Sequence, residues 1–283
     1  YMEKDFTIDI SKLLEESCDL NYTIAKENCK NGIMSDGDCC WYHSVWQYLR
    51  LIDKVSSPQW HTDFYRKALG KIQKDNIKVL ISGTADYSLL ALIYTYAIET
   101  NKNVDICVLD TCKTPLKICE WFAKKHNFTI EVINSSIMNL EEKQLKFDLI
   151  CTDAFLTRFK AEDAKKIIRI WYNCLNDNGI VATTVRVSHN SSNTQEAELK
   201  QQYILDAINK FDKKENIALS KEEFEKMVSI YVENMKSNAI GNKDEVDNYF
   251  KESGFYINEE ISKVNTTSGE YEETKYYEIL AQK

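Results

Sequence analysis

Histidine is scarce in this chain, four residues in 283, and no pair of cysteines stands in CxxC spacing. The usual sequence signature of a zinc site is therefore missing, and no metal is expected. No apolar run reaches the length of about 18 residues that a membrane-spanning helix needs, and no signal-peptide pattern is present. No concentrated basic face occurs either. Lysine and glutamate alternate on stretches such as Lys221 to Lys236, and the formal charge is −8. Phosphate binding needs clustered cations, so nucleic acid is not expected as a partner. Only two prolines and eight glycines interrupt the chain, without repeats or low-complexity tracts. Tyr1 ahead of Met2 reads as an addition, with Met2 as the natural start.

What is present is a foldable core. Hydrophobic residues make up 43% of the chain, enough to exclude disorder by composition. The nine cysteines lie mostly in apolar patterns, as Cys107, Cys151 and Cys174 do. There a thiol behaves as a small hydrophobe. Cys39 and Cys40 are adjacent and poorly placed to bridge each other. A reduced, cytoplasmic setting is the expectation.

The most informative stretch runs from Ile77 to Val187. Ile77 to Ile81 is a continuous apolar run that ends in Ser82-Gly83-Thr84-Ala85-Asp86. A helical pattern follows from Ser88 to Thr100, then a second run from Val104 to Asp110. Strand, small-residue turn, helix and strand closing on an acid describe a βαβ nucleotide unit. The turn lets backbone approach a ligand, and Asp110 can accept from both ribose hydroxyls of a nucleoside. Asp110 lies 27 residues after Gly83, somewhat beyond the spacing of about 20 in dinucleotide units. Ala85 and Tyr87 stand where a diphosphate cradle has glycines, and a carboxylate at Asp86 with a bulky Tyr87 opposes a diphosphate. A nucleoside without phosphate is the better match. Further strands are read at Thr129 to Ser136, at Phe147 to Phe155 and at Ile180 to Val185, with a helix from Ala161 to Leu175 and a turn at Asn176 to Gly179.

The ordered set resembles the class I S-adenosylmethionine-dependent methyltransferases from roughly Lys71 to the C-terminus. It comprises the Gly83 loop, Asp110, the polar exit Ser135-Ser136, the Phe147-Asp148-Leu149-Ile150 strand and the turn from Leu175 to Gly179. The resemblance implies an α/β, doubly wound Rossmann-like sheet of seven mixed strands ending in an antiparallel hairpin. It implies S-adenosylmethionine as cofactor, held by Gly83, Thr84, Ala85, Asp86, Asp110, Thr111, Ser136, Ile137, Asp153, Ala154 and Phe155. The chain departs from the family at Ile81, where an acid is usual, and at Ala85 and Tyr87, where glycines are usual. Asp86 or Asp153 is then expected to meet the ammonium of the methionine arm.

Residues 1–70 are expected to form an α-helical N-terminal cap, and residues 71–283 the cofactor domain with a helical insertion at about 190–237 that can cover the site. Three of the five tryptophans and two of the four histidines lie between Trp41 and His61, near Asp36 and Asp38. Trp41, Trp46 and Arg186 are candidate acceptor-binding residues, Arg186 as an anion clamp. His43, Tyr42 and His61 are candidate catalytic residues, since an imidazole titrates near neutrality and aromatic faces suit a sulfonium. The alternative for Trp41 and Trp46 is ordinary helix packing. Methyl transfer to a small molecule is the first reading. Transfer or cyclisation of the 3-amino-3-carboxypropyl arm, releasing methylthioadenosine, is the second, and a non-catalytic binding partner that kept the fold is the third. The oligomeric state and the acceptor stay open.

Overall fold

The computed structural model describes residues 8–29, 39–187, 196–234, 242–257, 263–267 and 274–283. Asp36 and Asp38 lie outside them, as do Tyr1, Met2 and residues 188–195 and 268–273.

Five strands carry apolar residues on both faces, and such runs pair in parallel. They are β1 (Asn76–Ser82), β2 (Asn103–Asp110), β3 (Glu131–Asn134), β4 (Phe147–Thr152) and β5 (Leu175–Val187). Their spatial order is β3-β2-β1-β4-β5, all parallel. Alternate residues leave on opposite faces. Val79 and Ile81 join one core while Leu80 joins the other, and Val108 and Leu109 divide in the same way. The strand β8 (Thr274–Gln282) closes the set antiparallel to β5, from Ile180 opposite Gln282 to Val187 opposite Lys275. On its other side β8 takes β6 (Tyr256–Ile257) at Gln282 and Ala281, and β7 (Lys263–Thr267) from Glu278 to Thr274. The short strands are thus two segments of one edge position. Eight strands fill seven positions, the mixed sheet that the resemblance implies.

The expected turn Asn176 to Gly179 sits inside β5. Phe147 faces Leu175 and Leu149 faces Ile180, so the residues between form an outward excursion with Asn178 at φ +62°. Asp148 anchors this corner. Its carboxylate accepts from the Lys78 amide and the Asn176 side chain and pairs with Lys74.

On one face lie α4 (Ser88–Glu99) and α5 (Lys113–Lys125), with α1 (Ile10–Asn28), α2 (Cys40–Leu51) and α3 (Thr62–Lys71) sharing their core. α1 runs unbroken from Ile10 to Asn28. The opposite face is covered by α6 (Ala161–Cys174) and α9 (Lys243–Glu252) around Trp171, Phe147 and Phe250. The inserted helices α7 (Glu196–Phe211) and α8 (Lys221–Asn234) rest on α2. Phe211 and Phe224 stack at 4.0 Å, and the edge of Tyr48 meets both. The Ser220 hydroxyl accepts from the Glu223 amide and caps α8. Among the described residues no helix is long and apolar enough to cross a membrane.

Candidate cofactor and acceptor site

In a parallel sheet the strand C-termini open on one edge, and ligands gather there. β1 exits through Gly83, whose φ of +73° is left-handed and favours glycine. Its amide donates to the Leu109 carbonyl at 2.8 Å, tying the loop to β2. A Cβ on Gly83 would lie 2.3 Å from the Phe155 ring. Conformation and space both require the bare Cα.

Asp110, at the end of β2, joins two loops. One oxygen accepts from the Cys112 amide at 2.7 Å and the other from the Thr84 amide at 3.2 Å. Each carboxylate oxygen keeps a further acceptor site. Desolvation in the cleft raises the Asp110 carboxyl to about 6, opposed by the two amides. At the end of β3, the Asn134 amide donates to the carbonyls of Asp110 and Thr111. Ser136 is occupied as the cap of the next turn, accepting from the Met138 amide at 3.2 Å, and Ile137 is buried beside it. The Ser136 hydroxyl proton and its second lone pair are left for a ligand.

The end of β4 carries the other polar knot. Asp153 accepts from the Thr184 hydroxyl at 2.6 Å and from the Tyr65 hydroxyl at 3.3 Å. The same Thr184 oxygen accepts from the Ala154 amide at 2.9 Å. Ala154 sits at φ +47°, a conformation that costs a non-glycine residue about 1–3 kcal/mol and recurs at functional sites. Tyr65 and Thr184 carried no sequence signal, since their roles exist only where α3 and β5 meet the β4 exit. Replacing Thr184 by valine removes a donor and an acceptor while keeping the shape. The expected cost is about 1–3 kcal/mol, read as a shift of the urea midpoint. A change under about 0.5 kcal/mol, typical of surface positions, would mean that this knot holds nothing.

Several expected site residues lie elsewhere. Asp86 is turned inward with 1% exposure. It pairs with Arg50 at 2.6 Å, accepts from the Ser88 amide at 2.8 Å and meets the Ser88 hydroxyl. A carboxylate so committed does not reach a ligand ammonium, which leaves Asp153 as the acid of that pair at the strand ends. Tyr87 is also buried, stacked on Phe122 with its hydroxyl 2.9 Å from that of Ser17, so its bulk does not obstruct the loop. His43 is buried with Nδ1 3.4 Å from the Cys29 sulfur, among thiols instead of at the cleft. His61 is buried against Glu278 at 2.9 Å. Glu278 faces Thr184 across the β5–β8 ladder, so the pair lies one strand beyond the Asp153 knot. Neither imidazole is placed to take a proton from an acceptor.

Tyr42 is placed differently. Its ring packs on Trp46 at 4.9 Å and stacks with Tyr231 of α8 at 6.1 Å, while Trp41 meets Tyr231 at 6.0 Å. The Arg158 guanidinium lies 5.6 Å from its ring centre. Burial holds its hydroxyl well above the ordinary phenol range. Arg158 opposes that shift, and the charges of Asp86, Asp153 and Asp110 reinforce it. The phenol is packed among Trp46, Tyr231 and Arg158. It keeps its proton near neutrality and is a donor, not a base. Tyr231 and Arg158 were not among the expected residues. Arg186, at the end of β5, is half-buried. A separate groove of about 760 Å³ between α6, α9 and the turn Ile137–Lys143 is lined by Lys165, Arg169 and Glu252. None of the strand-exit residues reaches it.

No family model matches the chain, and no curated protein does. Solved structures do. Magnesium protoporphyrin IX methyltransferase (ChlM) from Synechocystis PCC 6803, with bound SAM, aligns over 98% of this chain and 99% of its own, at 8% identity and TM-score 0.50. The N-methyltransferase NodS from Bradyrhizobium japonicum WM9, in complex with S-adenosyl-L-homocysteine, aligns over 93% and 97%, at 12% identity and TM-score 0.51. A possible exported protein from Bordetella parapertussis aligns over 94% and 79%, at 10% identity and TM-score 0.52. The chain has the fold of the class I methyltransferases. At such identities the likeness speaks for the fold alone.

Proposed function

We propose that this protein is an S-adenosylmethionine-dependent methyltransferase acting on a small molecule. The observation that carries the reading is the Asp110 carboxylate. It closes β2 beside the bare Gly83 loop, anchored by two amides and with acceptor capacity left over. That donor set fits a nucleoside at its ribose end. Gly83, Thr84 and Ala85 offer backbone, Thr111, Ser136 and Ile137 border the base, and Asp153 with Ala154 and Phe155 faces the amino-acid end. The Phe155 ring covers the Cα of Gly83, so the ligand packs along that ring.

When bound, S-adenosylmethionine supplies a methyl carbon made electrophilic by a sulfonium. The chain contributes position and dryness. Tyr42, Trp46 and Trp41 present aromatic surface to a cation, worth about 0.5–2 kcal/mol. The Tyr42 hydroxyl can donate to an acceptor, and Arg186 at the β5 exit can meet an acceptor carboxylate. Neither His43 nor His61 serves as base in this arrangement, which favours an acceptor that reaches the site already nucleophilic.

Asp110→Ala is expected to weaken S-adenosylmethionine binding at least about tenfold, or about 1.4 kcal/mol. The far-ultraviolet circular dichroism should be unchanged. Unchanged affinity by calorimetry would remove the assignment. The enclosure of Asp86 leaves the aminobutyrate end to Asp153, an arrangement that also suits transfer of that arm. Products separate the readings: S-adenosylhomocysteine for methyl transfer, methylthioadenosine for arm transfer, and neither for a binding partner.

A further inference from the structure

Three helix ends converge on one point below Asp110. Cys29 ends α1, Cys39 caps the start of α2 with His43 four residues on, and Cys112 caps α5. All four side chains are buried, and their ligand atoms lie within 4.8 Å of one another. The Cys29 sulfur is 3.4 Å from His43 Nδ1 and 3.7 Å from the Cys112 sulfur. The Cys39 sulfur is 3.5 Å from that of Cys112. The expectation of no metal set rested on missing CxxC spacing, whereas these donors come from three separate elements.

We infer that Cys29, Cys39, His43 and Cys112 hold one zinc ion in a closed, structural Cys3His site. A tetrahedral ion with sulfur at about 2.3 Å and nitrogen at about 2.0–2.1 Å sets donor-to-donor edges of roughly 3.5–3.8 Å, and three of the six edges, at 3.4, 3.5 and 3.7 Å, lie close to that range. A disulfide explains the cluster less well. It needs sulfurs about 2.05 Å apart, and it leaves a third thiol and an imidazole unused. Packing of apolar thiols explains burial but not why three of them face one ring nitrogen. Soft sulfur and imidazole donors without carboxylate select zinc over calcium or magnesium. With four protein donors no position is open for substrate, so the ion is structural.

The surroundings suit thiolates. The Thr114 hydroxyl lies 3.0 Å from the Cys29 sulfur, and the Thr114 amide donates to that of Cys112 at 3.4 Å. Cys112 also sits at a helix N-terminus, which favours negative sulfur. Binding releases three thiol protons and leaves a local charge of −1, with no change in oxidation state. The ion thereby clamps α1 and α2 onto the β2–α5 turn. The Cys112 amide that holds Asp110 belongs to the clamp, so the metal orders the cleft without entering it.

Metal analysis of the full-length protein purified without chelator is expected to give one zinc per chain. The metal-free, reduced protein, titrated with cobalt(II) alone, is expected to show tetrahedral ligand-field bands and thiolate charge transfer that saturate at one equivalent and vanish on adding zinc. Cys112→Ser and Cys29→Ser should each weaken zinc by more than about tenfold, while Cys119→Ser and Cys174→Ser keep full stoichiometry. A folded metal-free wild type that takes up neither ion would overturn the site, even if the serine variants fail to fold. So would a Cys39–Cys112 disulfide in the isolated protein, or an undiminished cobalt spectrum in Cys112→Ser.

Discussion

Asp86→Ala should destabilise the fold by about 3–5 kcal/mol, the cost of leaving a buried charge without its partner. Arg50 and Asp86 are 3% and 1% exposed and 2.6 Å apart. Removing the carboxylate strands the guanidinium in the interior, where among the described residues Gln59, at 3.1 Å, still meets it. The same change strips the buried Ser88 amide of its acceptor at the start of α4, and an unmet buried donor costs about 1–3 kcal/mol. Asp86→Asn separates the two parts, since an amide oxygen can still cap the helix while the charge is gone. The double variant Arg50→Met, Asp86→Leu should recover most of the pair's share, because a well-packed apolar replacement of a buried ion pair is often neutral. Urea midpoints for the single and double variants close the cycle. A loss below about 1 kcal/mol for Asp86→Ala, the range of exposed pairs, would place the pair in solvent.

The Asp86 pair also marks where reading along the chain stops working. The parallel core was legible because β1, β2 and β4 are buried on both faces, and a strand with two buried faces is a continuous apolar run. Asp110 was legible because a strand exit is a local feature. Which way Asp86 points was not, since its partner lies 36 residues earlier on a helix that docks from outside the βαβ unit. Tyr87 looked obstructive for the same reason, although α5 had already supplied Phe122 to cover it. His43 and its thiols are the strongest case. Cys39 and His43 share a helix face, but Cys29 and Cys112 meet them only after α1 and α5 are in place. No spacing rule reports a cluster assembled by tertiary docking. The signal available was indirect: nine cysteines where most could be spared, three of them at helix ends.

Gly83→Val is expected to abolish detectable S-adenosylmethionine binding and to lower stability by about 3–5 kcal/mol. A left-handed backbone costs an L-residue about 1–2 kcal/mol, and more for a β-branched one. Forcing a side chain into filled space adds about 1–3 kcal/mol, because the added Cβ meets the Phe155 ring at 2.3 Å. Gly83→Ala with Phe155→Ala tells the two contributions apart. Removing the ring opens the space, so the double variant should regain part of the stability that Gly83→Ala loses alone. If the cofactor lies along the Gly83 backbone, affinity in the double variant should stay below that of Phe155→Ala alone, since the methyl group still stands in its path. Stability and affinity recovering together would show that the glycine serves only to seat Phe155, and the cofactor contact would have to be sought at Asp110 and Asp153 without it.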